Sequence, residues 1–193
     1  SLLLFALLSS LQNTRMKAQQ LADRLTVDLR ESERKARAIF DLSFGFLGLL
    51  TPDGLIIEAN RTALEFAGLR LSDVAGMPIW KSPWFNHSAD MQDRLREAVR
   101  TAAGGELVRY ETTLRAADGS ICDIDFSLQP VKDEQGQVVL LIPEGRDITE
   151  RKQMERAQLA ISAYNRTLIE SSVDPLVTID AAGKISDVNV ATE

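Results

Sequence analysis

The stretch that most limits how this chain can fold runs from Ile121 to Gln129. Cys122, Ile124, Phe126 and Leu128 alternate there with Asp123, Asp125, Ser127 and Gln129. A period of two puts the first set on one side of a β-strand and the second on the other. Such a strand has one face on a core and one in water, the habit of antiparallel sheets. Upstream, Val108, Tyr110 and Leu114 share one parity with Thr112 between them, and Asp118-Gly119 supplies the turn. Downstream, Glu134-Gln135-Gly136 turns the chain into Val138-Val139-Leu140-Leu141-Ile142, which is apolar on both faces. A run of that kind belongs in the centre of a sheet or between two layers.

Two more strands precede these three. Phe46 to Leu50 is apolar, Thr51-Pro52-Asp53-Gly54 has the chemistry of a hairpin turn, and Leu55 to Ala59 returns. Asn60 is placed to cap a short helix over Arg61 to Ala67, which Gly68 stops. Ser72 is placed to cap another over Asp73 to Ala75. Trp80, Trp84 and Phe85 gather around Pro83. Ser88 or Asn86 then opens an amphipathic helix with Met91, Leu95, Ala98, Val99 and Ala102 on its apolar face. Five strands with helices inserted between the second and third make an α+β domain rather than a parallel βαβ fold.

Both ends carry helical patterns of another sort. No Gly or Pro occurs from Thr14 to Asp41, and Ala18, Ala22, Leu25, Leu29, Ser32, Ala36 and Ile39 follow alternating steps of four and three. This is the a/d seam of a coiled coil. A second such seam follows the last strand at Met154, Ala157, Ile161, Tyr164 and Leu168. Before the first helix lies Leu2-Leu3-Leu4-Phe5-Ala6-Leu7-Leu8, then Arg15 and Lys17 with no acid before Asp23. The run is about half of what a membrane-spanning helix needs. Its flanks fit the cytoplasmic exit of such a helix, residues 1–13, or a buried amphipathic cap. The single Cys122 leaves no partner for an internal disulfide, and a net charge of −6 gives nucleic-acid binding no electrostatic support.

Between the last apolar strand and the charged helix stands Gly145-Arg146-Asp147-Ile148-Thr149-Glu150-Arg151-Lys152. Asp147 or Thr149 can cap that helix, Asp147 with Glu150 has the spacing of a capping box, and Arg151 lies within reach of Asp147 one turn on. The chain also repeats itself. An offset of 129 residues places Ser43 on Ser172, Asp53-Gly54 on Ala182-Gly183, Ile56 on Ile185, Asn60 on Asn189 and Phe40-Asp41 on Ile169-Glu170. A second copy of the module therefore begins near Leu168. One strand pair cannot bury a core, so this tail is expected to be poorly ordered unless it packs elsewhere.

These residues resemble a PAS sensory domain. The resemblance rests on Asp53-Gly54, Asn60-Arg61, Gly76, Asp118-Gly119, Asp133-Glu134-Gln135-Gly136 and above all Asp147-Ile148-Thr149. It implies a PAS fold, a five-stranded antiparallel sheet with helices on one face, flanked by long coiled-coil-type helices. The expected organisation is a partial transmembrane helix at 1–13, a signalling helix at 14–41, a PAS domain at 37–149, a linker helix at 150–167 and the start of a second PAS domain at 168–193. It further implies the input half of a membrane-bound sensor histidine kinase or diguanylate cyclase, at a bacterial inner membrane with the PAS region cytoplasmic. The partner is expected to be a second copy, through the linker helices. Arg146, Asp147, Thr149 and Arg151 are the expected signal-transfer residues.

PAS pockets hold haem, flavin, a small metabolite or nothing, and the expected lining here is Trp80, Trp84, Tyr110 and Phe126. Haem has little to bind it. The only His, His87, falls at a helix start, where a capping or exposed role is expected, and no Cys-x-x-Cys-His attachment exists. The reactive Cys of photoactive flavin domains is absent from Gly76 to Phe85, and Cys122 is expected to pack inward as a small hydrophobe. Non-covalent FAD stacked on Trp80, Trp84 and Tyr110 is one open alternative, and plain core packing of these rings is the other. No nucleophile–base set or phosphate loop supports catalysis by this chain, and alternation sends Asp123, Asp125 and Ser127 to solvent.

Overall fold

A computed structural model describes residues 2–192, with the backbone alone described for residues 2–14, Ala18, Ser186 and Thr192. The chain begins with one unbroken helix, α1 (Leu2–Leu42), so no break separates the expected segments at 1–13 and 14–41. No described helix is long and apolar enough to cross a membrane. Then follow β1 (Phe46–Leu50), β2 (Ile56–Ala59), α2 (Arg61–Ala67), α3 (Leu71–Val74), a 3₁₀ turn at Ile79–Lys81 and α4 (Ala89–Ala103). The sheet is completed by β3 (Val108–Arg115), β4 (Ile121–Lys132) and β5 (Val138–Asp147). Last come α5 (Thr149–Ser171), β6 (Val177–Ile179) and β7 (Ile185–Val188).

The first five strands form one antiparallel sheet in the order β2-β1-β5-β4-β3. The doubly apolar strand β5 is central, as its sequence demanded. The alternation of β4 is kept: Cys122, Ile124, Phe126 and Leu128 are buried while their neighbours face out. Leu50 and Leu141 join them from β1 and β5, and α4 lays Leu95, Ala98, Val99 and Ala102 over this layer. Gly54 closes the β1–β2 turn at φ +81°, where a Cβ would stand 2.8 Å from the Trp80 ring and 2.9 Å from Val99. The turn thus needs glycine for its backbone and for its neighbours.

Two local expectations change. Ser72 does not start α3. Arg70 does, its N–H donating to the Asp73 carboxylate at 2.9 Å. β5 does not end at Ile142 but runs through Pro143 to Asp147, still paired with β4 at Ile124↔Asp147 and with β1 at Phe46↔Gly145. The tail folds as a two-stranded hairpin of β6 and β7, tied to α5 through Asn189.

Asn60 holds the sheet to the incoming helix. Its side chain is fully buried. Oδ1 accepts from Leu47 N at 3.1 Å and caps α2 through Ala63 N at 3.0 Å. Nδ2 donates to Phe40 O at 3.1 Å and Gly45 O at 2.9 Å. All four hydrogen-bonding positions of the amide are used, as a buried Asn requires.

Candidate functional site: a small apolar cavity and the junction above it

Between the sheet and the covering helices lies a cavity of about 50 Å³. Its walls include Leu50, Ile56, Ala63, Trp84, Phe85, Ile124 and Phe126, with Gly48 and Gly145 from the adjoining strands. Of the four expected lining residues it therefore takes Trp84 and Phe126. Trp84 offers nothing polar to an occupant, because its indole N–H donates to Ala63 O at 3.0 Å. Trp80 and Tyr110 are not in the lining. Trp80 lies under Arg96, 5.6 Å from ring centroid to guanidinium carbon, and is packed over Gly54. Tyr110 packs against Phe126 at a centroid distance of 5.4 Å with Arg94 stacked over it at 4.0 Å, and burial pushes its phenol up to about 12. The three rings proposed to stack on a flavin thus do not share one wall.

Pockets for cofactor-sized ligands run to several hundred Å³, well above the volume of this cavity as it stands. His87 is not at its wall. Its Nε2 lies 3.0 Å from Thr113 Oγ1 on β3, and the cap of α4 is Ser88, which accepts from Met91 N at 3.4 Å. Burial, with Arg115 nearby, lowers the His87 pKa below its ordinary value. Among the described residues no cluster of His, Cys, Asp or Glu is set to hold a metal.

The junction starts at Gly145, itself part of the cavity wall, and is built on the first residues of β4. Ile148 is buried and its N–H donates to Asp123 O at 2.9 Å, one step beyond the β4–β5 ladder. The Thr149 hydroxyl accepts from Asp123 N at 3.0 Å and faces Cys122 Sγ at 3.3 Å as donor. Asp147 Oδ1 accepts from Thr149 N at 2.8 Å. Burial works to raise the Asp147 pKa, but the hydrogen bonds from Thr149 and Cys122 outweigh it and hold the carboxyl below its usual range. Burial is also what pushes the Cys122 thiol up to about 11. The first residue of α5 is thus pinned to the first residues of β4 by a side chain whose hydroxyl is fully engaged.

The expected capping box and the expected Asp147–Arg151 pair are not formed. Asp147 is still a strand residue, which keeps its carboxylate from both roles. Arg151 instead reaches the outer face of the sheet, where Nη2 meets Glu111 Oε1 on β3 at 2.8 Å, and Nη1 meets Glu155 at 3.1 Å. Lys152 pairs with the same Glu111, and Arg156 Nη2 meets Asp123 Oδ2 at 3.2 Å. Hydrogen bonds from Lys152 and then Arg151 lower the Glu111 pKa. Arg146, Asp147 and Arg151 border one open recess with Arg109, Glu111 and Asp125, and Thr149 turns away from it into the sheet. Glu111 and Asp123 are the residues that sequence reasoning missed. Their signal was the alternation itself, which put both on the wet face of neighbouring strands where three cations of α5 could find them.

Comparison with known proteins agrees with this geometry. A family described as PAS fold matches residues 40–153. The sensor histidine kinase TmoS of Ectopseudomonas mendocina is 35% identical over 84% of this chain and 16% of its own length. The hybrid signal transduction histidine kinase D of Dictyostelium discoideum is 38% identical over 63% of this chain and 8% of its own. The chain therefore spans less than a fifth of either relative. Among solved structures, the PAS domain of an HTR-like protein from Haloarcula marismortui superposes with a TM-score of 0.52 at 25% identity, covering 65% of this chain and 99% of that one.

Proposed function

The chain belongs to the PAS fold family, and from that premise we propose that it is the sensory and dimerisation segment of a membrane-bound signal-transduction protein whose parent is a sensor histidine kinase. The observation that carries the reading is the Thr149 hydroxyl locked onto Asp123 and Cys122. A shift of β4 moves these two residues, and with them the first turn of α5. An occupant of the cavity can drive that shift only through different affinities for two arrangements of the sheet. Replacing Asp147 by Ala in the full-length protein alters kinase output while the PAS domain stays folded. Unchanged output reduces the junction to a helix start.

Pairing with a second copy is supported by the seams. Leu25, Leu29 and Ile39 on α1, and Met154, Ile161, Tyr164 and Leu168 on α5, are all more than half exposed. Two parallel copies would cover them as a coiled coil does. The apolar run at Leu2 to Leu8 supports attachment at a membrane on the side where α1 begins.

The second reading is a relay that carries no ligand, joining a periplasmic sensor to a distant output. The small volume of the cavity favours it over the flavin sensor. A visible absorption spectrum of the purified chain separates them: a colourless protein fits the relay or a small apolar ligand, and a bound chromophore excludes the relay.

A further inference from the structure

The 129-residue offset also relates a set of charged side chains that the junction does not use. In the first copy Arg37 lies one turn before the end of α1. Its Nη1 donates to Glu58 Oε1 on β2 at 3.0 Å and its Nε to Asp41 Oδ2 on its own helix at 3.2 Å. The other oxygen of Asp41 accepts from Arg61 N, the first residue of α2, at 3.2 Å. The same constellation recurs around Arg166 near the end of α5. Its Nη1 donates to both carboxylate oxygens of Asp187 on β7 at 2.7 Å, and it pairs with Glu170 one turn on. Glu170 Oε2 in turn accepts from Val190 N at 2.9 Å. Every member is the counterpart of a member of the first set. The two acids exchange lengths between copies: Asp on the helix with Glu on the strand in the first, Glu on the helix with Asp on the strand in the second.

Exposed ion pairs do little for stability, and each Arg here is about half exposed. What such a triad fixes well is direction. An Arg on one side of a helix reaches an acid on a particular strand at one rotation of that helix only. We propose that Arg37 and Arg166 are ionic latches that set the rotation of α1 and α5 against the hairpin each one enters, so that turning either helix breaks its latch. The same offset carries the seam positions Leu25, Ser32 and Ile39 onto Met154, Ile161 and Leu168. The latches therefore hold both apolar seams at one angle to the module that follows. Their signalling role rests on the reading of these helices as signal-carrying connectors.

Amide hydrogen exchange on the 193-residue chain tests the latches, with tryptophan fluorescence checking that the first module of each variant is folded and exchange over β6 and β7 checking the second hairpin. Arg37→Gln and Glu58→Gln each raise exchange over the last two turns of α1 by about twofold to fivefold. Glu58→Asp, the acid the second latch already uses, does not. Arg166→Gln raises exchange over the last two turns of α5 and leaves α1 unchanged. Unchanged exchange in both Arg variants overturns the proposal, and so does equal loosening of both helices by one variant. The signalling reading fails separately, if Asp147→Ala leaves kinase output unaltered while exchange at the latches responds as stated.

Discussion

The β1–β2 and β6–β7 hairpins have one backbone and two different surroundings. Gly48↔Ala59, Leu49↔Glu58 and Leu50↔Ile56 in the first correspond to Val177↔Val188, Thr178↔Asp187 and Ile179↔Ile185 in the second, with the bulge at the same step. Gly54 and Gly183 close the turns at the same φ of 81°. Asn189 repeats Asn60: Oδ1 accepts from Leu176 N at 2.8 Å, and Nδ2 lies 3.2 Å from Ile169 O and 2.9 Å from Asp174 O. Yet Leu50 is 1% exposed and its counterpart Ile179 is 64% exposed. The difference separates two kinds of information. Register, turn and helix attachment are written locally, in about twenty residues around a glycine and an asparagine. Burial is not, because the strand and helix that cover β1 lie far along the chain. A two-stranded hairpin is marginal on its own, and the buried Asn is what both copies use to hold it against the helix.

The largest effect that would break this comparison is at the asparagines. Asn60→Ala strands four backbone groups, one buried at Ala63 and three part-buried at Phe40, Gly45 and Leu47, and destabilises the first module by about 4 kcal/mol. Asn189→Ala leaves that module's denaturation curve in place and frees only the second hairpin. Tryptophan fluorescence reads this cleanly, since Trp80 and Trp84 both lie in the first module. Next come the matched apolar positions. Leu50→Ala costs about 3 kcal/mol through the cavity it leaves, while Ile179→Ala stays within about 0.5 kcal/mol.

A smaller, pH-linked effect distinguishes the modules through the only His. The His87 pKa is lowered in the fold, so the unfolded chain binds the extra proton first. Stability from this group is complete above the ordinary His value and declines as pH falls through the window below it. Urea unfolding followed by fluorescence between pH 7.5 and pH 5 shows this decline, and His87→Gln flattens it. The smallest effect is chemical. With its thiol near 11, Cys122 is alkylated slowly in the native protein at neutral pH. Asn60→Ala speeds the alkylation and Asn189→Ala does not.

Much of the sheet was legible because its signals are periodic. The alternation of β4 and the two-sided apolarity of β5 located the core face and the central strand. Pro143 hid the true end of β5, since proline has no place in a paired central strand. Here the neighbouring β1 carries Gly48 at that level, where a Cβ would come within 3.0 Å of the proline ring, and pairing resumes at Leu47↔Glu144. That longer strand is why Asp147 neither caps in a box nor pairs with Arg151. The partners of Arg151, Lys152 and Arg156 lie on β3 and β4, and only the sheet brings them near. Asn60 was legible as a cap, but its bonds to Leu47, Phe40 and Gly45 exist only once helix, strand and turn have met.

The claim that matters most is that Thr149 couples the sheet to α5. Amide exchange over residues 149–156, compared between the native chain and Thr149→Val, tests it most directly. The substitution keeps the shape and removes the hydroxyl that Asp123 N and Cys122 Sγ engage. The first two turns of α5 then lose protection while Ile124 to Leu128 in β4 keep theirs. Equal protection of α5 in both proteins would contradict the claim, leaving the helix held by the Ile148 N–H on Asp123 O and by its surface ion pairs.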